Sequence, residues 1–186
     1  GKTSRDEKRV VENKKDEIEI LNSEIKRAND TIGIKKTFIY NFADNRFDSV
    51  DLLDIVKVIS KVKEEIRPDI IFTHYENDLN IDHKITYQAV ITATRPMQNE
   101  SVKEIYSFEI LSSTEWNYPL SFSPDTFFDI EDTLDLKISA MKEYKSELCT
   151  YPHPRSLEGI ELNAKYQGMR VGKKYVEAFK SVRVIR

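Results

Sequence analysis

Three observations predict an α/β fold built on a mostly parallel sheet with helices on both sides. Segments of helical and strand-like periodicity alternate along the chain, and that alternation calls for crossover connections between parallel strands. An apolar run, Ile70-Ile71-Phe72, lies between a helical pattern and a polar loop, as expected of a strand covered on both faces. The length of 186 residues suits a single domain over residues 1–186, able to bury on the order of 70% of its unfolded surface.

The elements follow in order. Ser4-Arg5-Asp6-Glu7 reads as a capping box, with hydroxyl and carboxylate accepting from free amides at a helix start. Val11, Ile18, Leu21, Ile25 and Ala28 then recur at helical spacing on a charged helix that ends near Gly33. Its nearly balanced charges read as a solvated face. Residues 37–42 are rich in β-branched and aromatic side chains and predict a strand. Leu52, Ile55, Val56, Ile59, Val62 and Ile66 mark the next helix, closed at Arg67 because Pro68 disfavours αR there. Residues 69–73 form the apolar strand, 81–93 a helix ending before Arg95-Pro96, and 105–111 a further strand. Residues 126–130 read as a short extra strand. Asp132 is an N-cap for a helix marked by Leu134, Ile138, Met141, Tyr144 and Leu148, and Ser156 starts another that reaches about Gly168. Residues 175–185 end partly as a strand.

Composition excludes several classes. The chain has 29 Lys and Arg against 32 Asp and Glu, a formal net charge of -3, so nothing favours a nucleic-acid partner, which needs a basic stripe. No run approaches the roughly 18 apolar residues of a membrane span. The single Cys149 excludes an intramolecular disulfide and fits a cytoplasmic location. A Gly-rich phosphate loop, a Gly-x-Ser-x-Gly elbow, a Cys-x-x-Cys pair and His-Glu-x-x-His are all absent from the sequence.

Open α/β sheets bind ligands outside the carboxyl ends of their strands. The loop after residues 69–73 carries His74, Glu76, Asn77, Asp78, Asn80, Asp82 and His83, two of the three His residues of the chain. Asp44-Asn45-Arg46-Phe47-Asp48 follows the preceding strand-like segment, and Ser112-Ser113-Thr114-Glu115-Trp116 follows the later one. His153 and Arg155 precede the helix start at Ser156, a position that favours anions. Each also has a plain reading. His74 is a hydrogen-bonded structural His, Asp82 an N-cap, His83 a first-turn residue, Arg46 and Arg155 surface cations, and Trp116 a packing residue.

Taken together, the motifs resemble the LmbE/PIG-L family of metal-dependent de-N-acetylases. The resemblance rests on Arg67-Pro68-Asp69-Ile70-Ile71-Phe72-Thr73-His74 followed by Asp78-Leu79-Asn80-Ile81-Asp82-His83, and on later agreement at residues 108–116, 153–160 and 175–179. It implies a Rossmann-like three-layer α/β sandwich. It also implies zinc, or another divalent metal, held by a His and an Asp of an N-terminal His-Pro-Asp-Asp motif plus the His of the later Asp-His pair, matched here by His83. By the same resemblance the metal would leave a position for water, and the products would be acetate and a free amine. Asp82 and Asn80 take the catalytic positions of the motif, with Asp82 orienting neighbours. Asn80 stands where many members carry a His, and it can donate a hydrogen bond but not act as an acid. Arg46, Asp78, Trp116, His153 and Arg155 are candidates for substrate contact.

His-Pro-Asp-Asp is absent from this sequence, and the family would place it upstream of Gly1. The expectation is therefore a domain short of its first strand and helix, whose metal site is incomplete within these residues. The substrate expected of the complete enzyme is an N-acetylated sugar or sugar conjugate. The competing expectation is a non-catalytic carbohydrate or nucleotide-sugar binding module, in which Arg46, Trp116 and Arg155 recognise the ligand. A sugar-nucleotide transferase is a weaker third, lacking a nucleotide-diphosphate site.

Overall fold

A computed structural model describes residues 13–186. The capping box at Ser4 and the stripe residue Val11 lie outside the described residues. The described residues divide into two compact units, one made of those up to residue 39 together with 128–177 and the other of residues 40–127 and 178–186.

In the first unit, helix α1 (Asn13–Ile32) ends where Gly33 takes φ +76°. The Ile34 N–H returns to the Asn29 carbonyl at 2.9 Å, a helix-terminating bond that a residue at positive φ allows. Ala28 is buried as the apolar spacing predicts, but Ile18 and Leu21 are exposed and the charged Glu24 is buried. Glu24 is thus an exception to the solvated face. Its carboxylate accepts from the Ser146 backbone N–H (3.1 Å) and hydroxyl (2.6 Å), so the buried charge has donors. The same bonds explain why helix α4 (Leu134–Glu143) stops short of Leu148. The Ser146 amide, which would continue the helical ladder, donates to Glu24 instead. Asp132 does not cap α4; Thr133 stands there without a side-chain bond. Helix α5 (Leu157–Met169) starts as predicted, the Ser156 hydroxyl accepting from the Gly159 N–H at 2.9 Å. Ile130, Leu134 and Ala164 form the core of this unit, with Ile138 and Tyr175 packed on them.

In the second unit, helix α2 (Leu52–Ile66) and helix α3 (Ile81–Ala93) pack on one another. Ile55, Val56 and Ala89 are the buried centre, surrounded by Phe42, Phe47, Val50, Ile59, Ile85 and Ala93. Full burial of such aliphatic side chains contributes about 1.5–3 kcal/mol each. Arg67 takes φ 49°, ψ 56°, a left-handed conformation that ends α2 just before Pro68, where αR is disfavoured.

The sheet contains β1 (Ile70–His74), β2 (Glu104–Phe108), β3 (Thr126–Asp129) and β4 (Val176–Val184) in the order β1-β2-β4-β3. Strands β3 and β4 are divided between the units after Phe127 and Glu177. The expected mostly parallel sheet is corrected here to a mostly antiparallel one. Strands β1 and β2 are parallel, joined through α3, with Ile70 opposite Glu104 and His74 opposite Phe108. Strand β4 runs antiparallel to β2. Bonds from the Asp125 N–H to the Phe179 carbonyl and from the Ile130 N–H to the Tyr175 carbonyl run the same way for β3 and β4. The reason is connectivity: only β1 and β2 are joined by a single crossover helix, whereas β4 returns after two helices.

Residues 37–42 form no strand in the described structure. A strand needs a ladder partner as well as a suitable composition, and Ile39 and Tyr40 are exposed. No helix among the described residues is long and apolar enough to cross a membrane.

Candidate functional site

The loop from β1 to α3 is organised by a buried carboxylate. Asp78 is 0% exposed, which an ionised group tolerates only with donors on both oxygens. Its Oδ1 accepts from the Ser113 hydroxyl (2.5 Å) and the Asn80 N–H (2.8 Å) and meets His83 Nδ1 at 2.9 Å. Its Oδ2 accepts from the Thr114 hydroxyl at 2.5 Å. Burial pushes this carboxyl up, but the bonds from His83, Ser113, Thr114 and Asn80 outweigh it and hold the pKa at about 2. An ionised carboxylate only accepts, so Nδ1 of His83 carries the proton and donates it to Asp78. A ring with its single proton on Nδ1 carries its lone pair on Nε2.

Two further contacts fix the imidazole. His83 sits in the first turn of α3, whose N-cap is Asn80: the Asn80 side-chain oxygen accepts from the Asp82 N–H at 2.8 Å. The His74 ring stacks on His83 with centroids 4.2 Å apart and planes at 18°. His74 also packs against Phe108, and its buried Nδ1 has no hydrogen-bond partner among the described residues. Burial, then the neighbouring His83, lower the His74 pKa to about 4 against a smaller opposing pull from Asp78. His74 is therefore neutral at neutral pH, an apolar-facing wall and not a cation.

Asp82 points elsewhere. Its Oδ2 accepts from the Asn45 N–H at 2.6 Å and its Oδ1 from the Phe47 N–H at 2.9 Å, so it holds the loop that carries Arg46. The segment after β2 is held on the other side. The Thr114 hydroxyl that donates to Asp78 accepts from the Ile110 N–H at 2.7 Å, Glu115 accepts from the Ser112 and Ser113 amides, and the Asn117 amide donates to the Asn77 carbonyl at 2.8 Å. Trp116 is 39% exposed on this segment.

Of the candidates, the second unit contains Arg46, Asp78, Asn80, Asp82, His83 and Trp116, while His153 and Arg155 belong to the first. Within that unit the Arg155 N–H donates to His153 Nδ1 at 3.1 Å, and the Arg155 guanidinium pairs with Glu147 at 2.9 Å. Asp78, read as a substrate contact, has both oxygens engaged by the protein and no exposed surface. The sequence does not single out Ser113 and Thr114. They lie about 35 residues from Asp78, and only the rule that a buried carboxylate needs donors points to such partners.

The comparisons with known proteins bear on this arrangement. The family model for GlcNAc-PI de-N-acetylase, PIG-L, matches residues 1–94. The chain belongs to the PIG-L family. The matched part contains Arg46, Asp78, Asn80, Asp82 and His83 and ends at Thr94, the last cap of α3. A curated relative, "Probable N-acetyl-alpha-D-glucosaminyl L-malate deacetylase 2" of Bacillus cereus, is 26% identical over 141 residues, which is 75% of this chain and 63% of the relative. The match thus spans less than two thirds of that protein.

Solved structures share the fold of this PIG-L chain. The conserved protein TT1542 of Thermus thermophilus superposes with a TM-score of 0.72 at 18% identity, covering 90% of this chain and 75% of that one. The N,N'-diacetylchitobiose deacetylase of Pyrococcus horikoshii gives 0.67 at 20% identity, covering 88% and 63%. The 4-carboxy-2-hydroxymuconate hydratase GalB of Pseudomonas putida gives 0.63 at 19%, covering 100% and 80%. A hydratase and a deacetylase on one architecture mean that fold alone does not select the reaction.

The zinc that the family resemblance implies can be tested against the residues present. His83, with Nδ1 bonded to a carboxylate and Nε2 bearing the lone pair, has the form of a metal-binding imidazole oriented by its neighbour. A catalytic zinc takes three protein ligands, and among the described residues no three His, Cys, Asp or Glu side chains are grouped to hold a metal. These residues fit one corner of such a site and not a whole one.

Proposed function

We propose that this PIG-L protein is a metal-dependent hydrolase that removes the acetyl group from an N-acetylated sugar or sugar conjugate. The single observation that carries the reading is the Asp78–His83 pair. It lies within the family match and presents an imidazole held through Nδ1 by a buried carboxylate and stacked on His74. The relative from Bacillus cereus, a deacetylase of an N-acetylglucosaminyl malate by its name, supports the substrate class.

In this reading His83 would serve as one ligand of the zinc, which would activate water and polarise the acetamide carbonyl. The roles of the chain's own residues follow from their contacts. Asp78 orients His83. The Asn80 side-chain oxygen is occupied by the helix cap, which leaves its amide N–H groups to donate to substrate. No proton can come from it. Arg46 and Trp116 contribute recognition from the flanking loops, and His153 and Arg155 are further candidates for substrate contact. The reading takes β1, α3 and β2 as part of a Rossmann-like sandwich. The lone Cys149 supports a reducing, cytoplasmic setting.

The test is acetate release by the full-length gene product from a panel of N-acetylglucosamine derivatives, with zinc and after chelation. Release that chelation abolishes supports the reading. A zinc-loaded protein that binds members of the panel yet releases no acetate is a carbohydrate-binding module instead.

A further inference from the structure

The two aspartates before His83 have separate duties, and that of Asp82 concerns substrate recognition. One carboxylate brackets Arg46, accepting the N–H of the residue before it and of the residue after it. The loop is fixed in other ways as well. Asn45 holds φ 53°, and the Arg46 carbonyl accepts from both the Ser49 N–H (3.0 Å) and the Ser49 hydroxyl (2.8 Å). Phe47 is packed among Ile55, Val56 and Ala89 and meets the Phe42 ring edge-on at 5.3 Å.

The backbone around Arg46 is therefore held firmly while the residue itself is exposed. An arginine needed only for solubility does not require such a mount. A guanidinium fork matches a carboxylate or a phosphate through paired hydrogen bonds, and its selectivity depends on where the fork stands. Asp82 also joins this loop to the first turn of α3, the turn that carries His83.

We propose that Asp82 is a positioning residue: it holds residues 45–47 so that Arg46 binds an anionic substituent, phosphate or carboxylate, on the substrate. This rests on the de-N-acetylase reading for the sugar, but the loop geometry stands without it. Asp82 acts through Arg46.

The experiment has two arms on the full chain, comparing wild type with Asp82→Ala, Asp82→Asn and Arg46→Gln. The first arm is amide hydrogen exchange. Asn45 and Phe47 should exchange about tenfold faster in Asp82→Ala, as loss of a charge-assisted bond implies, with Asp82→Asn intermediate because a single amide oxygen remains as acceptor. The second arm is titration with UDP-N-acetylglucosamine and with neutral N-acetylglucosamine. Affinity for the charged probe should fall about tenfold in Asp82→Ala and Arg46→Gln while that for the neutral probe is unchanged. Unchanged exchange in Asp82→Ala, or unchanged preference for the charged probe in Arg46→Gln, overturns the proposal. Arg46→Gln leaves the clamp untouched, so it stays informative even if the Asp82 variants fail to fold. Acetate release is read separately, so failure of the enzymatic reading is distinguishable from failure here.

Discussion

His83 Nδ1 lies 2.9 Å from Asp78 Oδ1, and Asp78 itself is completely buried beneath the hydroxyls of Ser113 and Thr114. The pair joins the start of α3 to the segment after β2. Replacing Asp78 by Ala leaves two buried hydroxyls and an imidazole N–H without their acceptor. The expected cost is about 3 kcal/mol of stability, within the range for breaking a buried hydrogen-bonded charge. Asp78→Asn retains an acceptor for His83 but turns an amide donor toward a hydroxyl, and should cost less. Urea unfolding monitored by Trp116 fluorescence measures both, and an Asp78→Ala midpoint equal to wild type would contradict the role assigned to this carboxylate.

Asp125 supplies a prediction about pH. Burial raises its carboxyl, but bonds from Lys180 (2.6 Å), the Ser181 N–H (2.7 Å) and Thr126 prevail and bring its pKa down to about 2. The folded value lies below the ordinary 3.8, so the unfolded chain takes up this proton first as pH falls. The stabilisation is complete above the unfolded pKa and is lost between about pH 5 and pH 2. The group is partly exposed, so the effect is reduced by solvent screening. Asp125→Asn should flatten the dependence of the urea midpoint on pH over this range, and a parallel curve would argue against it.

Gly159 lies in the first turn of α5, where glycine is otherwise unfavourable. A Cβ there would stand 2.5 Å from the Pro154 carbonyl oxygen and 3.1 Å from that of His153. Both neighbours are backbone and cannot swing aside. Gly159→Ala should therefore destabilise by about 1–3 kcal/mol, the usual cost of overpacking, despite the better helix propensity of alanine. Thermal unfolding checks the sign: a raised midpoint would show that the loop yields.

Much of the local structure is legible because it depends on neighbours in sequence. The α3 limits, the break at Arg67-Pro68 and the Ser156 cap all follow from periodicity and capping chemistry within a few residues. What is not legible depends on distant partners. Residues 37–42 have the composition of a strand, yet composition does not supply a ladder. The direction of β4 is set by the two helices before it. At the candidate site the sequence points to His83 through a family resemblance, but it makes Asp78 a substrate contact. Nothing in Asp78-Leu79-Asn80 reveals that Ser113 and Thr114 cover the carboxylate. The sequence reads Asp82 as an N-cap or as a tuner of its neighbours. Asn80 is the cap instead, which frees the Asp82 carboxylate to hold Asn45 and Phe47.

The central claim is that His83, oriented by Asp78, is a ligand of the metal in a sugar de-N-acetylase. Zinc content of the full-length gene product, measured alongside that of His83→Ala at equal fold stability, tests it most directly. The account predicts stoichiometric zinc in the wild type and its loss in His83→Ala, with acetate release lost in parallel. Stoichiometric zinc retained by His83→Ala would contradict it.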